Sequence, residues 1–185
     1  MDRLYVVLLA AIMLPIVIFL IILCSLAIAI FDGRPIFFKS ERLGKDKKIF
    51  SIFKLRTMSV CAPIIPSSAE NASEYVTRIG RFLRFTSLDE MPQIFNILNG
   101  DMAFIGPRPC LSSEFRLIEL RDAEGIFSMK PGVTGLAQVR GRDRVSVKNK
   151  VRYELFYCKK KSLLFDIRII FMTIKVVSKF SSISH

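Results

Sequence analysis

The chain opens with a long apolar run, Leu4–Phe31, that holds no charged residue, and only afterwards settles into mixed apolar and polar positions. As one continuous helix this run would reach about 42 Å at 1.5 Å per residue, against a hydrocarbon core of about 30 Å. Pro15 stands near its middle, where it removes a backbone hydrogen bond and crowds the preceding turn. The residues alone leave two geometries open. One is a kinked span. The other is a re-entrant hairpin that enters and leaves by the same face, with the freed backbone groups satisfied near the break. A cleaved signal peptide fits less well, because the run is too long and its flank pairs one negative charge, Asp2, with one positive charge, Arg3.

Beyond an exit turn at Asp32–Pro35, two β-rich runs, Ile36–Lys39 and Lys48–Lys54, predict a hairpin, with Ile49, Ile52 and Phe53 as its apolar contacts. Ser59–Ser73, rich in Pro, Ser and Ala, reads as a surface loop. Glu74–Phe85 predicts a short helix with Arg78, Arg81 and Arg84 on one face and Ile79, Phe82 and Phe85 on another. That pattern suits either an interfacial helix or a solvated face over an ordinary core. Pro92 cannot sit deep in a helix, so the helix carrying Gln93–Leu98 starts around Asp89–Met91 and ends at Asn99-Gly100. Pro107–Pro109 is a stiff turn, and Ser112–Leu120 a second amphipathic helix. Pro131-Gly132 and Gly135 mark tight turns before Leu136–Val139. Val147–Lys161 is polar and helical, and Ser162–Phe180 suits a helix lying in the headgroup plane. No internal repeat is visible.

Composition narrows the function. Lys plus Arg number 28 against 16 Asp plus Glu, a formal charge of +12, nearly all of it after the apolar run. A basic domain directly after an apolar anchor reads as a cytoplasmic domain held against anionic lipid, in preference to nucleic acid. The four cysteines, Cys24, Cys61, Cys110 and Cys158, show no paired spacing, which argues against a disulfide scaffold or a zinc site. The single histidine is the last residue, His185, so acid–base or nucleophilic work falls to carboxylates, Lys, Tyr or Cys. Neither a GxxxxGK[ST] loop nor a GxGxxG turn after a strand is present.

The densest chemistry lies in Ser87–Pro109, SLDEMPQIFNILNGDMAFIGPRP. Asp89 and Glu90 are adjacent carboxylates at a helix start. Ser87-x-x-Glu90 also matches a capping box, which is the structural alternative. Adjacent helical residues point about 100° apart, so both carboxylates address one site only near a helix end, where free N–H groups also attract phosphate. One could serve as nucleophile or magnesium ligand while its neighbour moves protons. Mutual repulsion raises the pKa of one, and a divalent cation relieves it. Arg84 and Arg108 suit bidentate phosphate binding, and Lys54 and Arg56 add charge after the hairpin. Asp101 reads as a turn or capping acid.

Seven segments carry a resemblance: Lys54–Met58, Ile79–Arg84, Ser87–Gln93, Asn99–Met102, Gly106–Pro109, Lys130–Gly135 and Gly141-Arg142. On these the chain resembles the bacterial sugar transferases, the monotopic polyprenyl-phosphate phosphoglycosyl transferases, in their small single-domain form. SLDExPQ followed by GDMxxxGPRP is a highly specific combination. The resemblance implies an α+β fold: a mostly helical cytoplasmic catalytic domain, residues 32–185, with a short β-hairpin and membrane-surface amphipathic helices. Residues 1–31 would form a re-entrant helix broken at Pro15, both ends facing the cytoplasm of a bacterial inner membrane. It further implies transfer of a sugar-1-phosphate from a UDP-sugar to a polyprenyl phosphate such as undecaprenyl phosphate, with release of UMP. Asp89 would attack the β-phosphate and carry the phosphosugar, Glu90 would assist attack by the lipid phosphate, and Mg2+ would sit by Asp89. Arg84 and Arg108 would hold phosphate, and Arg142 would lie near the nucleotide. Downstream glycosyltransferases are the implied partners.

The chain departs from that pattern at Leu14, where serine is frequent, at Ile126-Phe127 in place of an arginine-histidine pair, at Asp143 for asparagine and at Glu154 for aspartate. Two rival readings remain on the residues: a membrane-tethered basic binding module with Asp89-Glu90 as a helix cap only, and a non-catalytic scaffold of a glycan-assembly complex.

Overall fold

A computed structural model describes residues 3–63, 70–141 and 145–181, with backbone alone for 3–5, 70–72 and 179–181. The apolar run forms α1, Arg3–Phe31, helical throughout with Pro15 inside it. Over Val6–Phe31 its mean hydropathy is 3.4, and it is long and apolar enough to cross a bilayer. Ala10, Val17, Ile21 and Ile28 recur along one stripe and are buried, while Ile12, Ile16, Phe19, Leu26 and Ile30 stand exposed. The buried stripe joins the main core with Ile52, Leu55, Leu83, Ile94, Ile97 and Met102.

β1, Phe37–Leu43, and β2, Ile49–Leu55, pair antiparallel from Phe37↔Leu55 to Leu43↔Ile49. β1 continues past the Lys39 limit read from the sequence because Glu41 lies on the exposed face, where a strand tolerates charge. The turn passes through Asp46 and Lys47, both left-handed at φ 53° and 58°. Within the expected loop after β2, residues 64–69 lie outside the described set, while Glu70–Tyr75 turns as a 3-10 helix.

α2, Arg78–Thr86, starts later than the Glu74 expected. Ser59 bonds Tyr75 and Met58 bridges Val76, so the residues up to Val76 are tied to the strand exit, and Thr77 caps the helix by accepting from Gly80 N at 2.8 Å. Leu83 is the buried side chain of α2, whereas Phe82, placed on the apolar face by the sequence, stays exposed. A 3-10 turn, Leu88–Glu90, leads into α3, Gln93–Asn99, which ends at Gly100 with φ 88°.

The sequence pattern missed a second sheet. β3, Ala103–Ile105, runs parallel to β4, Gly132–Thr134, across a crossover that contains α4, Phe115–Ala123. The two strands approach so closely that a Cβ on Gly106 or Gly132 would strike the opposite backbone. α5, Leu136–Val139, α6, Val147–Lys160, and α7, Leu163–Ser181, complete the chain. α7 exposes Leu164, Ile170, Phe171 and Ile174. Its Asp166 lies in the core instead, accepting from Tyr157 Oη at 2.7 Å, so this charge does not count against an apolar outer face.

Candidate active site

The hairpin supplies the first cation. Asn96 on α3 acts as a substitute strand edge: its Nδ2 donates to Ser51 O at 2.7 Å and its Oδ1 accepts from Phe53 N at 3.1 Å. Wholly buried, it fixes α3 against β2 and so sets Lys54 over the turn that precedes α3. Lys54 Nζ donates to Glu90 Oε1 at 2.6 Å and stands 4.0 Å from Asp89 Oδ2. Arg108, held in the Gly106–Pro109 turn after β3, donates through Nη2 to the same Oε1 at 3.0 Å. Two cations from distant parts of the chain therefore meet on one carboxylate oxygen.

The capping alternative does not hold in this geometry. Ser87 is left-handed (φ 59°) and its side chain does not cap the 3-10 turn, while the Glu90 carboxylate reaches Lys54 and Arg108. Asp89 is buried, and the two carboxylates part into different environments. Burial pushes Asp89 up to about 6; Lys54 opposes this, Glu90 adds to it, and Arg108 and Arg84 offset it. Burial would also raise Glu90, but Lys54 and Arg108 outweigh it and hold that carboxyl well below the usual carboxylate range.

Arg84 lies near the end of α2 and donates through Nε to Thr57 Oγ1 at 2.8 Å. Gly80 makes this possible: a side chain there would collide with the Thr57 backbone, so α2 could not come so close. Arg56 is placed differently from the other cations. It is buried and donates to the carbonyls of Pro35 (2.5 Å), Gly33 (2.7 Å), Asp32 (2.8 Å) and Met58 (3.1 Å). Four contacts to carbonyls make it a tie between the exit of α1 and the end of β2. Arg142 and Asp143 lie outside the described residues.

Asp89, Glu90, Lys54, Arg56, Arg84 and Arg108 line one cavity of about 620 Å³. Two features of it escaped the sequence reading. Arg42 sits on the same face of the hairpin as Lys54, since Phe38↔Lys54, Ser40↔Ile52 and Arg42↔Phe50 are register partners. Its Nε is buried with no hydrogen-bond partner among the described residues. Burial and the Arg108 charge lower its pKa, against Glu114, Cys110 and Glu90. Alternation was the available signal: Phe38, Ser40 and Arg42 share the inward side of β1. The second feature is a buried fork in which Arg121 Nε and Nη2 meet Glu154 Oε2 and Oε1 at 2.8 and 2.5 Å. Glu154 was flagged only as a departure, and nothing in the local sequence links it to Arg121.

No cluster of three or more His, Cys, Asp or Glu side chains forms among the described residues. One or two carboxylates beside a diphosphate are nevertheless the usual Mg2+ setting, because the ion keeps water and substrate oxygens as its other ligands. Asp89 fits that donor set.

The profile of the family described as "Bacterial sugar transferase" matches residues 1–180. The chain is 37% identical over 162 residues to an undecaprenyl-phosphate galactose phosphotransferase of Salmonella typhimurium, covering 79% of this chain and 34% of that protein. It is 37% identical over 179 residues to a UDP-galactose-lipid carrier transferase of Erwinia amylovora, covering 86% and 37%. To a UDP-glucose:undecaprenyl-phosphate glucose-1-phosphate transferase of Escherichia coli it is 34% identical over 168 residues, covering 83% and 35%. The chain thus spans about a third of the length of these relatives.

Proposed function

The chain belongs to the bacterial sugar transferase family, and from that premise we propose that it moves a sugar-1-phosphate from a UDP-sugar to a membrane polyprenyl phosphate such as undecaprenyl phosphate. The observation that carries this reading is the split between two neighbouring carboxylates: Asp89 buried and only loosely paired, Glu90 clamped by Lys54 and Arg108.

In this reading the Asp89 carboxylate attacks the β-phosphorus of the donor. The bond from that phosphorus to the UMP oxygen breaks, and UMP leaves with the electron pair. An oxygen of the lipid phosphate then attacks the same phosphorus, the bond to Asp89 breaks, and the carboxylate is restored. A covalent intermediate lets a soluble and a lipidic substrate visit one site in turn. Asp89 and the donor diphosphate would hold Mg2+, which supplies neutralising charge when bound. Arg84 and Arg108 bind phosphate oxygens, and Arg42 offers a third fork whose Nε lacks a partner among the described residues. Arg142 is assigned to the nucleotide. As donor phosphates draw Lys54 and Arg108 away, their hold on Glu90 weakens and its basicity rises, so Glu90 gains its role as acceptor only in the loaded site. Arg56 acts as scaffold.

The same reading makes residues 1–31 a re-entrant anchor in a bacterial inner membrane, with residues 32–185 on its cytoplasmic side. Burial of Ala10 before Pro15 and of Val17, Ile21 and Ile28 after it supports this, because both halves of α1 pack on one core. Anionic lipid and downstream glycosyltransferases are the expected neighbours.

Detergent-solubilised protein, Mg2+, polyprenyl phosphate and a panel of UDP-sugars test the function by UMP release. Galactose and glucose donors head the panel, with N-acetylgalactosamine and diacetylated bacillosamine donors beside them. At least one sugar turns over, and Asp89→Asn abolishes it. A panel without turnover favours the scaffold reading. Full rate in the variant removes Asp89 as nucleophile.

A further inference from the structure

A second cavity, about 770 Å³, opens between α6 and α7 and shares no lining residue with the carboxylate cavity. Its cations are Arg140, Arg152, Lys160 and Arg168, and no acidic side chain among the described residues lines it. None of the four lies in an ion pair among the described residues. Arg152, Phe156 and Lys160 follow at intervals of four on α6, and Leu164, Arg168 and Met172 do the same on α7, so each helix offers one continuous row to the groove.

Two contacts tie α6 to α7 beside the groove. Tyr157 Oη donates to Asp166 Oδ1 at 2.7 Å, and Phe165 packs edge-on against Phe156 with ring centroids 6.0 Å apart. Its lip is apolar and uncovered: Phe156 is 51% exposed and Leu164 79%. Four like charges repel one another, and exposed Phe and Leu favour transfer out of water. A ligand that relieves both carries an anionic group and a hydrocarbon chain on the same molecule, and the planar guanidinium forks of Arg152 and Arg168 suit a phosphate.

We propose that this groove binds an anionic diacyl phospholipid, its phosphate on the Arg152–Lys160–Arg168 rim and an acyl chain along Phe156 and Leu164. The polyprenyl phosphate acceptor is not the occupant, because a phosphate seated here does not meet Asp89, Lys54 or Arg108, which line the other cavity. Each rim cation is attracted to an anionic surface, so the rim favours an anionic over a zwitterionic headgroup strongly. The inference rests on the membrane attachment in the proposed function and not on its chemistry.

The test places full-length protein in phosphatidylcholine vesicles containing phosphatidylglycerol with a photoreactive acyl chain, and locates crosslinks by peptide mass spectrometry. Crosslinks are expected on the α6–α7 peptides carrying Phe156 and Leu164, at least tenfold above those from photoreactive phosphatidylcholine. R152E/K160E lowers them about tenfold. Formation of the Asp89 adduct in detergent, followed in parallel, is unchanged in that variant and reports its folding. The charge-neutral R152Q/K160Q variant gives an intermediate loss. Equal labelling by the two phospholipids, labelling indifferent to the variants, or preferential labelling of the groove by a photoreactive polyprenyl phosphate overturns the proposal. Absence of any adduct on Asp89 together with selective phosphatidylglycerol labelling overturns the proposed chemistry and leaves the groove standing.

Discussion

A raised Asp89 has two consequences with opposite signs. Its folded pKa, about 6, lies above the ordinary 3.8, so the folded protein binds the extra proton between those values. Stability contributed by this group is complete below about pH 4 and lost as pH rises through 6. Activity runs the other way, since only the carboxylate attacks phosphorus. The rate of UMP release in the first half-reaction should rise about tenfold per pH unit below 6 and level off above it, measured in single-turnover mixing. Asp89→Asn should abolish that release and yet raise thermal stability at pH 7.5 by roughly 1–3 kcal/mol, with the gain shrinking towards pH 5 in melting curves. Glu90 has the opposite linkage: its pKa is depressed, so its contribution is present at neutral pH and fades as pH falls through the acid range. Arg42→Lys keeps a charge but loses the fork; donor KM should rise five- to fiftyfold with little change in melting temperature. Much of this site was legible at residue level. The adjacent acids, Lys54, Arg84 and Arg108, singled out by residue type and order, line one cavity. Arg56 lines the same cavity, yet its guanidinium is spent on four backbone carbonyls, a tie that charge alone does not reveal. Arg42 was passed over because Arg-Leu-Gly-Lys-Asp looks like a polar turn until the strand pairing is known.

Between elements, the site depends on two small residues that carry no chemistry. Asn96 joins α3 to the open edge of β2, and Gly80 lets α2 lie against the Thr57 backbone. Asn96→Ala leaves the half-buried Phe53 N–H and Ser51 C=O without their Asn96 partner, at up to about 1–3 kcal/mol each. It should lower the denaturant midpoint and, by freeing Lys54, reduce adduct formation more than stability alone predicts. The long helices were readable from apolar spacing and the α3 stop from Asn99-Gly100. The β3–β4 pair was not, because strands of three residues show no alternation and their pairing across α4 is a long-range choice. The start of α2 was misjudged for a related reason: Glu74 and Tyr75 favour a helix locally, but pairing of Ser59 with Tyr75 commits them elsewhere.

For the molecule as a whole, exposed apolar surface is concentrated on α1 and on the outer face of α7, while two separate cavities are each lined by several cations. That division suits an enzyme working where water meets lipid. It also makes the path of α1 testable. Asp2→Cys, read against Cys61, which is exposed after the hairpin, should react with a membrane-impermeant thiol reagent from the same side in inverted membrane vesicles. Pro15→Leu, which restores the missing backbone bond, should carry position 2 to the other side. Labelling of the unsubstituted-proline chain from opposite sides would make α1 a span. The central claim remains that an oxygen of Asp89 carries the sugar phosphate between its two substrates. Acid-quenching the protein with its turned-over UDP-sugar, in the absence of lipid acceptor, and sequencing the peptides by mass spectrometry tests it directly. The account predicts a phosphosugar mass on Asp89 that disappears when polyprenyl phosphate is added; an active preparation with no adduct there, or with the adduct on another residue, contradicts it.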